Sequence, residues 1–154
     1  MVVQVRVGEV VLDPVCGGGS LLLQAAERQL GGGEWACGGG YAVGAELEPG
    51  PARLARQNLQ GGSAGWGRGA AAGPAGSVGC WDVLNCDSRL CHFRTGCIDC
   101  VLADLPFGKR CGSPAELAAL YGKILGQLAR ILRPDGRCRA VRPLTRPKRA
   151  LRQL

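Results

Sequence analysis

Four acidic residues, each placed at or just past the end of a short apolar run, define the chemistry this chain could perform. Asp104-Leu105-Pro106-Phe107-Gly108 sets a carboxylate, a rigid proline and an aromatic ring side by side. Such a group suits a planar amine: the carboxylate and a backbone carbonyl accept its hydrogens, and the ring stacks on its face. Asp13-Pro14-Val15-Cys16-Gly17-Gly18-Gly19-Ser20 puts an acid directly before a glycine turn, where backbone can approach a ligand closely. A dinucleotide fold would want Gly-x-Gly-x-x-Gly with a pyrophosphate on the helix N-terminus, but Leu22 stands where the third glycine belongs. The acid ahead of the turn would also repel a pyrophosphate. It suits a ligand carrying an ammonium and a sulfonium, which is S-adenosylmethionine. Gly44-Ala45-Glu46 ends another run in a carboxylate able to accept from two ribose hydroxyls. Asp87 could accept from an adenine amino group. Asp82 is the alternative, and Asp87 is preferred for its spacing from the motif at 104.

The elements that must position these acids alternate in type. Strands are predicted over 7–13, 41–46, 80–84 and 98–103, with a weaker fifth over 137–141. Helices are predicted over 20–28, with good helix formers throughout, and over 52–60, behind Pro49 and Pro51. Ser113-Pro114-Ala115-Glu116 reads as a capping box with proline at the first helical position. The helix behind it carries Leu117, Leu120, Tyr121, Ile124, Leu125, Leu128 and Ile131 at i, i+3 and i+4 spacing. Arg133-Pro134-Asp135-Gly136 reads as a turn. Strands alternating with helices imply right-handed crossovers and a parallel sheet, an α/β Rossmann-like fold whose ligands bind at the carboxyl ends of the strands. The predicted domain covers 1–142, with a flexible Gly/Ala insertion at 61–77 and a basic tail at 143–154.

Composition narrows the setting. The chain has 154 residues, 46% of them hydrophobic and 20% charged, which argues for one folded domain. Its 26 glycines and 9 prolines exclude a coiled coil or a mostly helical chain. The formal charge is +7, yet residues 1–136 are neutral and the excess lies after them. The charge is therefore poor evidence that the fold itself binds nucleic acid. No apolar run is long enough to span a bilayer, and no signal peptide is recognisable at the start. The nine cysteines read as free thiols of a reducing cytoplasm or nucleus. Cys97-x-x-Cys100 has no second pair at matching spacing, so no metal site is expected.

Asp-Pro-x-Cys-Gly-x-Gly at 13–19, Gly-x-Glu-x-x-Pro at 44–49 and Asp-Leu-Pro-Phe-Gly-Lys at 104–109 together resemble the catalytic domain of the THUMP-domain-containing guanosine-N2-methyltransferases. The likeness covers about residues 9–136. It implies a class I S-adenosylmethionine-dependent methyltransferase that modifies the exocyclic amine of guanosine in tRNA or another structured RNA such as snRNA. On this resemblance Asp13, Pro14, Cys16, Gly17 and Gly19 would hold the methionine part of the cofactor. Glu46 would hold its ribose and Asp87 its adenine. Asp104, Pro106 and Phe107 would be catalytic. Leu105, Phe107, Lys109 and Arg110 would meet the substrate, the two cations at a phosphate or simply in solvent. A small zinc-binding activator subunit is an implied partner, and no membrane is.

Some features depart from the family pattern. The chain has twelve residues ahead of Asp13 and stops soon after the fifth strand, so a fragment lacking the THUMP domain and the final strands is expected. Arg137, Arg139 and Arg142 fit a buried parallel strand poorly. Two other functions stay open: methylation of an amine in DNA or protein, and an inactive methyltransferase fold that only binds RNA or a partner.

Overall fold

The computed structural model describes residues 5–6, 8–24, 41–66, 81–90, 92–105 and 113–140. Five strands form one sheet in the order β3-β2-β1-β4-β5, every neighbouring pair parallel. They are β1 (Val10–Asp13), β2 (Tyr41–Glu46), β3 (Trp81–Asn85), β4 (Ile98–Ala103) and β5 (Leu132–Ala140). Helix α1 (Pro49–Trp66) links β2 to β3, and α2 (Pro114–Ile131) precedes β5. Residues 20–24 are also helical, directly after the glycine turn. This is the fold class expected from the alternation of elements.

Both faces of the sheet are covered, as a parallel sheet requires. Alternate residues of a strand point to opposite faces. Leu12, Val43, Val101 and Ala103 pack with Ile124, Leu128 and Ile131 of α2. Their neighbours in the strands face the other way: Ala42 and Val83 pack with Ala52, Ala55 and Leu59 of α1 and with Leu22. In the central β1, Val11, Leu12 and Asp13 are buried and Val10 half-buried, so the strand shows no alternation of buried and exposed residues.

Several boundaries differ from those predicted, each for a local reason. Strand β1 begins at Val10 rather than residue 7, because Gly8 has a φ of 83° and turns the chain. Helix α1 runs six residues into the segment expected to be a flexible insertion. Once a helix is nucleated, each added residue gains a hydrogen bond without a new nucleus. On α2, Leu125 is 49% exposed rather than part of the buried stripe, since the face against the sheet is filled by Ile124, Leu128 and Ile131. The capping box is present: Ser113 Oγ accepts from the Glu116 N–H and Glu116 Oε2 from the Ser113 N–H.

The fifth strand is the largest correction. Arg133–Gly136 is not a turn ahead of it but an irregularity within it. Leu132 pairs with Ile98 and Arg137 with Cys100, so five steps on β5 meet two on β4. The arginines are accommodated by acids at the amino ends of the strands. Arg133 pairs with Asp99, whose other oxygen accepts the Val10 N–H at 2.8 Å. Arg137 pairs with Glu9. Part of the basic excess therefore belongs to the fold.

Candidate active site

In a parallel sheet every strand delivers its last residue to the same edge. Asp13, at the end of β1, and Glu46, at the end of β2, are joined there by Asp87 and Asp104, which follow β3 and β4. Asp82 lies near the start of β3, at the opposite edge. From β1 the chain winds outward through β2 and β3, then returns to the other side of β1 for β4 and β5. The edge between β1 and β4 is thus a topological switch point, the usual place for a ligand in such a sheet.

Asp13 is buried to 1% exposure. Burial pushes its carboxyl up from 3.8 to about 7, the Val15 N–H at 3.1 Å partly opposes this, and the negative charges of Asp104 and Glu46 add to it. Three carboxylates thus share one edge, and the innermost changes charge near neutrality. A cationic ligand placed among them would favour its ionised form.

The glycine turn is tied to this edge. Gly17 and Gly19 adopt φ values of 51° and 80°, the left-handed region that side-chain-bearing residues rarely enter. Glu46 Oε2 accepts the Gly17 N–H and Oε1 the Glu48 N–H, both at 2.9 Å. The Cys16 N–H reaches Ala45 O at 2.9 Å. Beneath the turn, a Cβ on Gly44 would lie 2.7 Å from Cys16 Sγ and 2.9 Å from Leu22 Cδ1. A glycine at 44 is what lets the turn lie across β2. Around Gly17 the space is open.

The other expected site residues fall as follows. Cys16 is buried and its thiol is pushed up to about 12, by burial first and then by Asp13 and Glu46; it packs as a neutral group. Pro14 is fully buried and its carbonyl accepts from Ser88 Oγ. Asp87 is held by Arg89 at 2.6 Å. Asp104 is exposed beside Asp13, whereas Leu105 packs into the core, leaving only its backbone at the edge. Pro106, Phe107, Lys109 and Arg110 lie outside the described residues.

Three polar residues of the site were not foreseen. Asn58 Nδ2 donates to Gly18 O at 2.9 Å, fastening the turn to α1. Asn85 Nδ2 donates to Glu46 O and Leu47 O, each at 2.8 Å, fixing the end of β2. Ser88 joins the loop after β3 to that after β1. Asn58 shares a helix face with Leu54 and Ala55, which was the available signal. Ser88 has none in the chain order, since its partner is 74 residues away. Among the described residues, no cluster of His, Cys, Asp and Glu could hold a metal ion, and no helix is long and apolar enough to cross a membrane.

The donor set fits S-adenosylmethionine: a buried acid for positive charge, an open glycine turn, and a carboxylate at the end of β2 whose oxygens retain acceptor capacity. Comparison with known proteins agrees on the class. Mouse (Mus musculus) tRNA (guanine(6)-N(2))-methyltransferase THUMP3 is 30% identical over 143 residues, covering 86% of this chain and 24% of the relative. The chain thus spans about a quarter of that relative's length. The crystal structure of TrmN from Thermus thermophilus superposes with a TM-score of 0.63 at 24% identity, covering 88% of this chain and 33% of that one. A geranyl diphosphate methyltransferase solved in complex with S-adenosylmethionine shares the fold at a TM-score of 0.56 and 16% identity, over 86% of this chain and 41% of that one. The fold is that of the class I S-adenosylmethionine-dependent methyltransferases. Residues 69–152 match the family described as RMKL-like, methyltransferase domain. That match takes in more than half of the chain, which belongs to the RMKL-like methyltransferase domain family, as the motif resemblance led us to expect.

Proposed function

We propose that this chain is the methyl-transferring domain of an S-adenosylmethionine-dependent enzyme acting on the exocyclic amine of guanosine in tRNA. The observation that carries the reading is the convergence of Asp13, Glu46 and Asp104 beside the glycine turn at the switch point. Asp13 and the turn would hold the methionine end, Glu46 the ribose hydroxyls and Asp87 the adenine amine. When bound, the cofactor would supply an electrophilic methyl group, its sulfur–methyl bond breaking so that the neutral thioether S-adenosylhomocysteine is the leaving group.

A guanine amine is a poor nucleophile, because its lone pair is delocalised into the ring. Most of the work is therefore orientation. Asp104 is exposed at the end of β4, where its carboxylate can accept an amine hydrogen, stabilise positive charge growing on the nitrogen and take the proton released as the new N–C bond forms. Pro106 and Phe107, which follow it in the chain, would shape and stack the base. Lys109 and Arg110 would reach the RNA backbone.

The test is transfer of a labelled methyl group to undermodified tRNA, followed by nucleoside analysis, with and without the small zinc-binding activator subunit we propose as a partner. Labelled N2-methylguanosine is expected. A different labelled nucleoside, or transfer only to DNA, snRNA or protein, would reassign the substrate. No transfer despite cofactor binding would favour an inactive domain that binds RNA. Asp104→Ala is expected to lower transfer by at least a hundredfold, the lower end of general acid–base contributions, with S-adenosylhomocysteine affinity kept. Equal activity in the variant would remove Asp104 from the mechanism. The proposed setting is the cytoplasm or nucleus, where such RNAs occur.

A further inference from the structure

Both oxygens of the Asp87 carboxylate are engaged by Arg89 of its own chain. Oδ1 accepts the backbone N–H of Arg89 and its Nε, both at 2.9 Å. Oδ2 accepts from Nε at 2.8 Å and from Nη2 at 2.6 Å. The single Nε hydrogen is shared between the two oxygens, so three N–H groups of Arg89 take up most of the roughly four acceptor positions a carboxylate offers. The geometry is local. Leu90 N–H closes a tight turn on Asp87 O at 2.9 Å, which brings Arg89 back over Asp87. The buried Ser88 between them anchors the turn to Pro14, beside the glycine loop. The pair itself stands towards solvent, with side chains 43% and 20% exposed for Arg89 and Asp87, where an arriving ligand can displace it.

We propose that Arg89 is an internal competitor at the nucleobase end of the cofactor site, so that an adenine amine reaches Asp87 only by displacing the Arg89 guanidinium. The inference rests on reading Asp87 as the adenine partner. The guanidinium holds the Asp87 carboxyl below the usual range, and Lys123 adds to this, so the acid stays charged and the competition is between two donors for one anion. A guanidinium has five N–H donors, and the pair with Asp87 leaves some of them over. A base with a carbonyl in place of the amine can accept from these without opening the pair. Arg89 therefore also narrows the preference for an amino over an oxo purine.

The experiment is calorimetry of the full chain with S-adenosylhomocysteine and with its hypoxanthine counterpart, S-inosylhomocysteine, for wild type, Arg89→Ala and Arg89→Gln. Thermal unfolding establishes that the variants are folded. Both variants are expected to bind S-adenosylhomocysteine about two- to fivefold more tightly, the scale of an exposed ion pair. The inosyl compound should gain nothing, so the ratio of the two affinities widens. Unchanged or weaker S-adenosylhomocysteine binding in the variants, or an equal gain for both ligands, overturns the role of Arg89 while leaving the cofactor site standing. Absence of S-adenosylhomocysteine binding in wild type and variants alike overturns the cofactor site and Arg89's role with it.

Discussion

Replacing Asp13 by Asn should stabilise the protein above neutral pH and remove its cofactor affinity at the same time. The unfolded chain ionises this carboxyl near 3.8, whereas burial in the folded protein raises it to about 7. Between these values the folded state holds a proton that the unfolded state has lost. Stability therefore falls as pH rises from about 4 to about 7 and levels off above it. At about 1.36 kcal/mol per pH unit, the difference is on the order of 4 kcal/mol, a large share of the roughly 5–15 kcal/mol typical of a domain. Asn keeps the shape and can still accept the Val15 N–H, but carries no charge. Asp87 and Glu116 have lowered values, so their contributions begin to be lost as the pH falls through their ordinary values at the acid end of this window; both proteins share that loss, and it cancels in the comparison. The raised cysteines titrate above it. Urea unfolding of both proteins at intervals from pH 4 to pH 8 reads the effect. The wild type should lose stability over the window while Asp13→Asn stays nearly flat, the two converging at low pH. In parallel, wild-type affinity for S-adenosylhomocysteine, which carries the ammonium, should rise through pH 7, and the variant should bind weakly throughout. Parallel stability curves for the two proteins would refute the idea that Asp13 holds a proton because it is buried among carboxylates.

Other substitutions probe the scaffold. Gly44→Ala forces a methyl against Cys16 Sγ and Leu22 Cδ1 and should cost about 1–3 kcal/mol by denaturant unfolding, with Cys16→Ala in the same chain restoring part of it. No loss would mean that the glycine turn repacks freely. Ser113→Ala removes the acceptor for the Glu116 N–H and should cost about 1 kcal/mol by denaturant unfolding, with S-adenosylhomocysteine affinity changing no more than stability, since none of the residues proposed to hold the cofactor lies on α2. A change in affinity greater than in stability would place that helix start within the site.

How much of this was legible in the chain order depends on whether a property is local. Alternating apolar runs and caps named the strands and helices, because backbone hydrogen bonding and side-chain direction follow from neighbours a few residues apart. Parallel pairing then sent Asp13, Glu46, Asp87 and Asp104 to one edge, so the acids that gather there could be listed before the fold was known. Only the tertiary structure set their states. Asp13 is proton-holding because two other strands close over it and bring Glu46 and Asp104 near, and desolvation has no signature in a linear pattern. Arg137 looked wrong for a buried strand until Glu9, 128 residues away, was placed beside it, and Arg133, read as part of a turn, meets Asp99, 34 residues away. Asn85 and Ser88 became part of the site through carbonyls of distant loops. What the chain order determined was the inventory of chemical groups and the edge they reach. Which of them are buried, paired or open to a ligand was decided by packing, because charge and hydrogen-bonding energies depend on what lies within a few ångströms in space.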